Sequence, residues 1–400
     1  MVFSSLTFLL IFLPILIPVY FVIPAQYRAA RNYDLLFFSL VFYSWGEPLY
    51  VFLILVTILL TYVLSGKVAQ RRKWALIIAI AANLLPLAVF KYTDFILTNI
   101  NLIPGVHIPL PKITLPIGIS FYTFHVFTYI IALYRSKVNI QKNPLFLALY
   151  IFFFPQLVAG PIVRYETVEH QITNRKENWV DFQAGLGRFV MGLAKKVLIA
   201  NQVGFIVKTI MEQEPSQVGS GLLWLAAFSY TIQIYFDFSG YSDMAIGLGR
   251  MFGFHFLENF NYPYISRSVT EFWRRWHISL SSFFRDYIYI PMGGNKVSTS
   301  RWVFNMLFVW FLTGLWHGPY WSYIIWGLYY CVLLTIEKYL LKGLLERIPA
   351  VLSWAYTFLF TMFGWVIFMV ETNNPGKLLE FFGRMLSFRN PEQSLTIRTL

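Results

Sequence analysis

Apolar runs, several of them long enough to cross a bilayer, recur along almost the whole chain, and they restrict the possible fold more than any single motif does. A membrane-spanning helix needs about 20 mostly apolar residues. At membrane depth each backbone polar group needs a partner within the protein, which a helix supplies. The chain is therefore predicted to be an all-α, polytopic membrane protein with eleven candidate spans. They are Phe8–Ile23, Leu35–Trp45, Leu49–Leu64, Trp74–Phe90, Ile113–Tyr134, Leu145–Val158, Phe189–Val207, Leu222–Phe238, Trp302–Trp316, Trp321–Leu340 and Val351–Val370.

Several of these runs are too short to cross the bilayer at a right angle, most clearly Leu35–Trp45 and Leu145–Val158. Short apolar segments interrupted by glycine or proline indicate broken or re-entrant helices, which are tolerated only where protein or a water-filled cavity covers the backbone. We therefore expect spans that surround a central recess rather than a plain bundle, and we expect Leu145–Val158 to enter the membrane and return on the same side.

Composition agrees with a membrane protein and argues against nucleic-acid binding. Of the 400 residues 57% are hydrophobic and 13% are charged, whereas soluble domains carry roughly 25% charged residues. The net charge of +13 lies in short loops between apolar runs, where the positive-inside rule accounts for it. The single cysteine, Cys331, excludes an internal disulfide and a cysteine-based metal site.

Basic loops also predict the orientation and the domain organisation. Arg28 and Arg31 place the first loop in the cytoplasm and hence the amino terminus outside. The block from Arg250 to Arg301 is the most basic and should lie at the cytoplasmic side. Residues 1–370 are predicted to form one transmembrane domain. Residues 371–400 form a short tail, which we interpret as an interfacial helix.

His317 is the first candidate for chemistry because it ends an uncharged run that starts at Trp302. An ionisable group at membrane depth is costly and is by default a functional-site hypothesis. Gly318 and Pro319 should end the helix there and leave room for a ligand. An imidazole can remove a proton from a hydroxyl near neutral pH. The alternative is a structural histidine that is hydrogen-bonded to a neighbouring carbonyl.

His277 is the second candidate, in the stretch EFWRRWH that starts at Glu271. If the stretch is one helix, Trp273, Trp276 and His277 share a face and the two arginines lie off it. We interpret it as an amphipathic interfacial segment. Its arginines, Arg274 and Arg275, would bind lipid phosphates or the phosphates of a cytosolic donor; the alternative is positive-inside anchoring with a tryptophan belt.

Asp237 closes the apolar run from Leu222 and should therefore have a partner: a histidine that it orients, an arginine, or a substrate hydroxyl. Structural pairing is the simplest of these interpretations. The histidines show no metal-ligand spacing, which argues against a catalytic metal. Neither a GxxxxGK[ST] phosphate-binding loop nor a G-x-S-x-G motif is present.

Six stretches together resemble the membrane-bound O-acyltransferase superfamily, and within it the bacterial alginate O-acetyltransferase branch. They are LPIGISFYTF (115–124), FPQLVAGPIVRY (154–165), GLAKKVLIAN (192–201), YFDFSGYSDMAIGLGRMFGF (235–254), ENFNYPYISRSVTEFWRRWHISLSSFFRDYIYIPMGGN (258–295) and GLWHG (314–318). Members of that branch commonly continue past a position equivalent to Leu400 with further spans. We therefore expect either a short member or part of a longer chain.

The resemblance implies a ring of about 10–11 tilted or broken helices around a central funnel or channel. It implies that His317 is the catalytic histidine and that His277 is the second catalytic position. The interpretation assigns donor or substrate binding to Asp237, Asn259, Trp273, Arg274, Arg275, Trp276, Arg285 and Trp316. No metal and no bound cofactor are expected.

The implied function is transfer of acetyl, with acetyl-CoA as the cytosolic donor, across a bacterial inner membrane for O-acetylation of an exopolysaccharide or cell-wall polysaccharide. The implied partners are an extracytoplasmic acetyltransferase of the SGNH type, the polysaccharide acceptor and the lipid bilayer, with no nucleic acid. Two alternatives remain open at this point: D-alanyl transfer to teichoic acid, and a non-enzymatic subunit for polysaccharide export or transport.

Overall fold

The computed structural model describes residues 1–213 and 218–387, and within these residues the chain is helical without a β-strand. The principal helices, numbered in chain order, are α1 Phe8–Val22, α2 Arg28–Ser44, α3 Tyr50–Ala69, α4 Lys73–Ile100, α5 Ile119–Tyr134, α6 Pro144–Phe152, α7 Phe154–Leu157, α8 Tyr165–Asn174, α9 Trp179–Met211, α10 Ser220–Met251, α11 Val269–Arg275, α12 Ile278–Phe284, α13 Thr299–His317, α14 Trp321–Leu341, α15 Ala350–Met369 and α16 Pro375–Ser387. One-turn helical segments lie at Pro263–Ile265, Arg285–Tyr289 and Lys342–Leu345.

Five of these helices are long and apolar enough to cross a membrane: α3, α4, α9, α14 and α15. Two shorter helices, α1 and α5, are also apolar. The chain is thus an all-helical, multi-pass membrane protein, as predicted. The short run Leu145–Val158 is divided between α6 and α7, with the break at Phe153; its entry and return on one side of the membrane stays a prediction.

The helices gather into two compact units. The first unit contains residues 1–193 and 240–257, and the second contains residues 194–239 and the described residues from Glu258 onward. The predicted domain of residues 1–370 therefore contains two groups of helices. Of the predicted tail, α16 is described, and Leu378, Phe381 and Met385 form its buried side. Its position at a membrane interface stays a prediction, and residues 388–400 lie outside the described residues.

A buried ion cluster ties together distant segments of the first unit. We call it the Glu177 cluster, and it consists of Tyr20, Arg28, Arg31, Arg175 and Glu177. Arg28 pairs with Glu177, and so do Arg31 at 3.0 Å and Arg175 at 3.4 Å. The Tyr20 hydroxyl also donates to this carboxylate. One carboxylate thus connects the end of α1, the start of α2 and the loop between α8 and α9.

In the second unit, α13 and α14 form a hairpin in which two glycines allow close backbone contact. A Cβ atom at Gly314 would collide with the carbonyl oxygen of Tyr323, and one at Gly327 with that of Trp310. Small residues at such positions let helix backbones approach closely in membrane proteins. The hairpin therefore fixes the end of α13 against the start of α14.

We expect Gly327→Ala to lower the thermal stability of the solubilised protein because the added methyl group would push α13 and α14 apart. Overpacking of this kind costs about 1–3 kcal/mol. Gly187→Ala is the matched control, because a Cβ atom at Gly187 meets nothing within 4 Å, and its melting temperature should be unchanged or slightly higher. Equal melting temperatures for Gly327→Ala and the wild type would contradict the close packing of this hairpin.

Candidate active site

His317 is the last residue of α13, as the sequence predicted. Gly318 leaves the helix in an extended conformation, Pro319 follows, and α14 begins two residues later at Trp321. The imidazole therefore stands at a helix end rather than within a regular helical wall. Its residue is half-buried, so the ring is neither sealed in the interior nor displayed on the surface.

Aromatic rings surround the His317 imidazole. The ring centroids of Trp316 and Trp326 both lie 4.8 Å from it, and that of Phe368 lies 5.1 Å from it. The Tyr323 ring is 6.3 Å away. Trp326 and Phe368 meet the imidazole nearly perpendicularly, at 85° and 82°, which is a favourable arrangement for aromatic rings. These side chains come from α13, α14 and α15, so the hairpin and α15 build the surroundings of His317.

Sequence reasoning missed a carboxylate that contacts Tyr323, one of the aromatic neighbours of this histidine. The Tyr323 hydroxyl donates to Glu371 Oε1 at 2.5 Å, and Glu371 follows the end of α15. The adjoining residue Thr372 exchanges two hydrogen bonds of 3.1 Å with Ser322 at the start of α14. We call residues 371–374 the α15–α16 linker. No motif marks it, and only its position after the last apolar run could have drawn attention to it.

His277 lies at a sharp break in the chain. α11 ends at Arg275, α12 starts at Ile278, and His277 between them has a φ of +42°. The left-handed region is unfavourable for residues other than glycine. Two backbone hydrogen bonds of 2.9 Å hold the break from both sides: Asn261 N–H donates to Arg275, and Ile278 N–H donates to Asn259.

The His277 side chain is buried, and among the described residues only its Nδ1 edge has a polar contact. Its Nδ1 atom lies 3.1 Å from Asn259 Oδ1, which also accepts from the hydroxyl of Ser279 at 2.8 Å. The Phe238 ring lies nearly perpendicular to the imidazole, at an interplanar angle of 88° and with the ring centroids 4.6 Å apart. The Nε2 atom has no hydrogen-bond partner among the residues described. Burial lowers the pKa of His277 to about 3, so the imidazole is neutral at physiological pH.

The break corrects our interpretation of EFWRRWH as one interfacial helix. Trp276 and His277 lie beyond the end of α11, so the predicted common face does not exist. Trp276 is buried against Trp365, with ring centroids 4.7 Å apart, and the Trp273 ring lies 4.9 Å from that of Trp310. The tryptophans belong to the aromatic core of the second unit because α11 packs against α14 and α15, and they do not form a surface belt.

The same packing brings the two histidines to one region. The Trp316 ring lies 4.8 Å from His317 and 6.1 Å from His277. Trp326, which contacts His317, also lies 5.6 Å from Trp273 of α11. The predicted residues His317, His277, Asn259, Trp273 and Trp316 are thus gathered in the second unit.

The predicted arginines differ in their surroundings. Arg274 is exposed. Arg275 pairs with Glu271 at 2.9 Å and donates to the carbonyl oxygen of Asn261, so it stabilises the chain break. Arg285 pairs with the adjacent Asp286 at 2.7 Å and remains 61% exposed. Arg274 and Arg285 are therefore accessible to an anionic ligand, whereas Arg275 has a structural contact.

Asp237 does have a partner, and its helix extends beyond the predicted span Leu222–Phe238. α10 continues for fourteen residues to Met251, and in this continuation Asp243 pairs with Arg188 of α9 at 2.9 Å. Asp237 pairs with Lys196 of α9 at 2.5 Å, so structural pairing is the interpretation that agrees with the geometry. No group of three or more histidine, cysteine, aspartate or glutamate side chains suited to a metal ion occurs in residues 1–213 and 218–387.

This arrangement can support proton transfer and group transfer at a hydroxyl. A half-buried imidazole at a helix end is a suitable general base. A second, neutral imidazole nearby offers a fixed hydrogen-bond acceptor. Aromatic walls around both would exclude water from a reactive acyl group.

Known proteins are similar in sequence to this chain over most of its length. The model of the membrane-bound O-acyltransferase family matches residues 52–374. A probable alginate O-acetylase of Pseudomonas aeruginosa is 41% identical over 385 residues, which cover 93% of this chain and 72% of the relative. A peptidoglycan O-acetyltransferase of Helicobacter pylori is 34% identical, with coverages of 93% and 77%. A teichoic acid D-alanyltransferase of Bacillus subtilis is 31% identical, with coverages of 79% and 84%.

Proposed function

The chain belongs to the membrane-bound O-acyltransferase family, and from this premise we propose that it moves acetyl from cytosolic acetyl-CoA across a bacterial inner membrane for O-acetylation of a polysaccharide. The half-buried His317 imidazole at the end of α13 carries the proposal. The greater identity to O-acetylases than to the D-alanyltransferase supports acetyl as the group transferred. Family membership also argues against a non-enzymatic export subunit.

His317 acts on the acceptor hydroxyl in this proposal. The imidazole takes the hydroxyl proton while the oxygen attacks the thioester carbonyl, so a C–O bond forms and the C–S bond breaks. The departing thiolate takes up a proton and leaves as free CoA. In the second form of the mechanism, the imidazole nitrogen carries the acetyl group between donor and acceptor. Both forms need the same histidine.

The donor side is supported by the accessible arginines. Arg274 is exposed and Arg285 is largely exposed, so both suit the phosphates of acetyl-CoA, which arginine binds through charge-assisted hydrogen bonds. Trp273, Trp276 and Trp316 contribute the apolar walls rather than polar contacts. Asp237 and Lys196 form a pair that positions α9 beside α10 within the second unit.

The acceptor side is the extracytoplasmic face, on which we place the amino terminus. The final acceptor is a polysaccharide hydroxyl, to which an extracytoplasmic acetyltransferase of the SGNH type passes the acetyl group after the step at His317. The name of the alginate O-acetylase relatives supports a polysaccharide. The name of the Helicobacter pylori relative, a peptidoglycan O-acetyltransferase, supports the wider class of cell-surface polymers.

Sided membrane vesicles test this function. We expect inside-out vesicles that contain the chain and the products of its neighbouring genes to release free CoA from added [14C]acetyl-CoA and to retain label in polysaccharide. Right-side-out vesicles should do neither, because the donor cannot reach the cytoplasmic face.

D-alanyl transfer is the second candidate, supported by the Bacillus subtilis relative. It predicts no CoA release in either orientation and incorporation of label from a D-alanyl thioester of a carrier protein. That pair of results would replace the acetyl proposal.

A further inference from the structure

The buried Nε2 atom of His277 lacks a partner in the part of the chain that the structure describes. The residue is 2% exposed. A buried polar atom without a partner is unfavourable, and buried polar atoms in native proteins nearly always have one. The atom is therefore a candidate contact for a ligand, provided that its protonation state can be assigned.

The neighbouring amide allows that assignment. The backbone N–H of Ser279 donates to the Asn259 side-chain atom Oδ1 at 3.2 Å. A backbone N–H can only donate, so the atom that it meets is the oxygen of the amide and not its nitrogen. The orientation of the Asn259 side chain is thereby fixed by the chain itself.

The tautomer of His277 follows from this oxygen. His277 Nδ1 lies 3.1 Å from Asn259 Oδ1, which accepts and cannot donate. The Ser279 hydroxyl lies 3.4 Å from Nδ1, but its single hydrogen is directed to Asn259 at 2.8 Å. Nδ1 therefore carries the proton, and in a neutral imidazole Nε2 is then an acceptor.

The backbone at His277 is strained, and Asn259 helps to hold it in that conformation. His277 has a φ of +42°, and such strained conformations persist only where the surroundings fix them. Asn259 supplies part of that restraint, because its carbonyl oxygen accepts from Ile278 N–H at 2.9 Å. Asn259 thus holds both the backbone and the side chain of this segment, and it is itself fully buried.

We propose that Asn259 is a positioning residue that holds His277 as the Nδ1–H tautomer, so that Nε2 accepts a hydrogen bond from an N–H group of the acyl donor. The identity of that donor rests on the proposed function, in which the group is an amide N–H of the pantetheine arm of acetyl-CoA. This role differs from the donor contact that the sequence suggested for Asn259.

The surroundings favour an uncharged, amide-bearing ligand over a phosphate. Beyond Asn259 and Ser279 at Nδ1, the aromatic rings beside the imidazole are those of Phe238, at 4.6 Å, and Trp316, at 6.1 Å. Burial is the sole cause of the low pKa of His277, with no charged side chain of the described residues contributing. A lone pair on Nε2 repels phosphate oxygens, whereas it matches an amide N–H.

Selective 15N-histidine labelling of the full chain tests the role of Asn259 without any donor. The six histidines are few enough for His277 to be assigned by its loss in His277→Gln. We expect its Nδ1 to be protonated and its Nε2 bare from pH 8 to pH 5. Asn259→Ala should mix the two tautomers, whereas Ser279→Ala should preserve the Nδ1–H form. A protonated Nε2 in the wild type would overturn the proposal.

Binding of a non-hydrolysable thioether analogue of acetyl-CoA tests the ligand. His277→Ala should weaken binding by about three- to tenfold, the loss of one hydrogen bond. Asn259→Asp is the decisive variant because its carboxylate accepts from Nδ1–H and raises the pKa of His277. The protonated ring has no acceptor at Nε2, so affinity should fall as the pH is lowered from 8.5 to 6, while wild-type affinity stays constant.

Three results would decide against the proposal. They are a pH-independent affinity for Asn259→Asp that equals that of the wild type, full affinity in a monodisperse Asn259→Ala, and full affinity in His277→Ala. If the wild type does not bind the analogue, the donor in the proposed function is wrong and so is the ligand assigned to Nε2. The histidine spectra then still decide the role of Asn259, and they separate the two failures.

Discussion

Replacing His317 with alanine is expected to reduce acyl transfer by about 10²–10⁴-fold, the usual contribution of a general base. The hairpin of α13 and α14 places this imidazole 4.8 Å from the Trp326 ring and 5.1 Å from that of Phe368. The substitution removes atoms from a half-buried site, so the protein should remain in the membrane at wild-type levels. The vesicle assay with [14C]acetyl-CoA measures the loss.

His107→Ala is the matched control, since His107 is exposed and should be dispensable. Treatment of the protein with [14C]acetyl-CoA and then hydroxylamine distinguishes the two forms of the mechanism. Label that is bound to the wild type, released by hydroxylamine and absent from His317→Ala identifies an acetyl-imidazole. Transfer at the wild-type rate by His317→Ala would remove this residue from the mechanism.

The second large effect is expected from Glu177→Gln, which should lower the stability of the protein. Three guanidinium groups around one carboxylate leave a local charge of +2, and Glu177→Gln would raise it to +3. Removing one partner of a buried ion pair destabilises a protein by roughly 3–5 kcal/mol. We expect a large fall in the melting temperature of the solubilised protein, and loss of much of the protein from the membrane.

Glu166→Gln is the control for this prediction, because Glu166 pairs with Lys137 at 3.8 Å with both side chains substantially exposed. Such pairs contribute about 0–1 kcal/mol. A similar small effect of both substitutions would show that the Glu177 cluster does not stabilise the first unit.

The same cluster predicts the direction of the acid response. Burial acts to raise the pKa of Glu177, but the hydrogen bonds from Arg28 and Tyr20 and the charge of Arg175 outweigh it and lower the pKa below its usual value. Stabilisation by a carboxylate of lowered pKa is complete above the pKa of the unfolded chain and is lost as the pH falls through the folded one. The difference in stability between wild type and Glu177→Gln should therefore narrow on acidification.

Much of the fold could be predicted because hydrophobic length and helix-breaking residues are local properties. The run that ends at His317 illustrates this, since Gly318 and Pro319 determine the helix end without help from distant segments. The family was predictable for a similar reason: its motifs are contiguous stretches such as residues 258–295, and the family model matches most of the chain.

The errors concern residues whose conformation depends on distant partners. The helix start at Ile278 is imposed by the backbone of Asn259, which lies 18 residues away from His277. Local periodicity therefore placed His277 on a helix that ends before it. The predicted span Leu222–Phe238 stops beside Asp237 because this charge interrupts an apolar run, yet α10 continues to Met251 and Asp237 pairs with Lys196 of α9.

The α15–α16 linker couples two stretches that are far apart in the sequence, residues 371–374 and the start of α14, so that substitutions in one depend on the other. Its hydrogen bonds join Glu371 to Tyr323 and Thr372 to Ser322, beside the helix end that carries His317. A change in residues 371–374 therefore alters the environment in which a substitution at Ser322 or Tyr323 is tolerated. We expect substitutions in the two stretches to occur together among members of this family. A chimaera whose junction lies between them would combine a linker from one member with an α14 start from another, and would lose these hydrogen bonds.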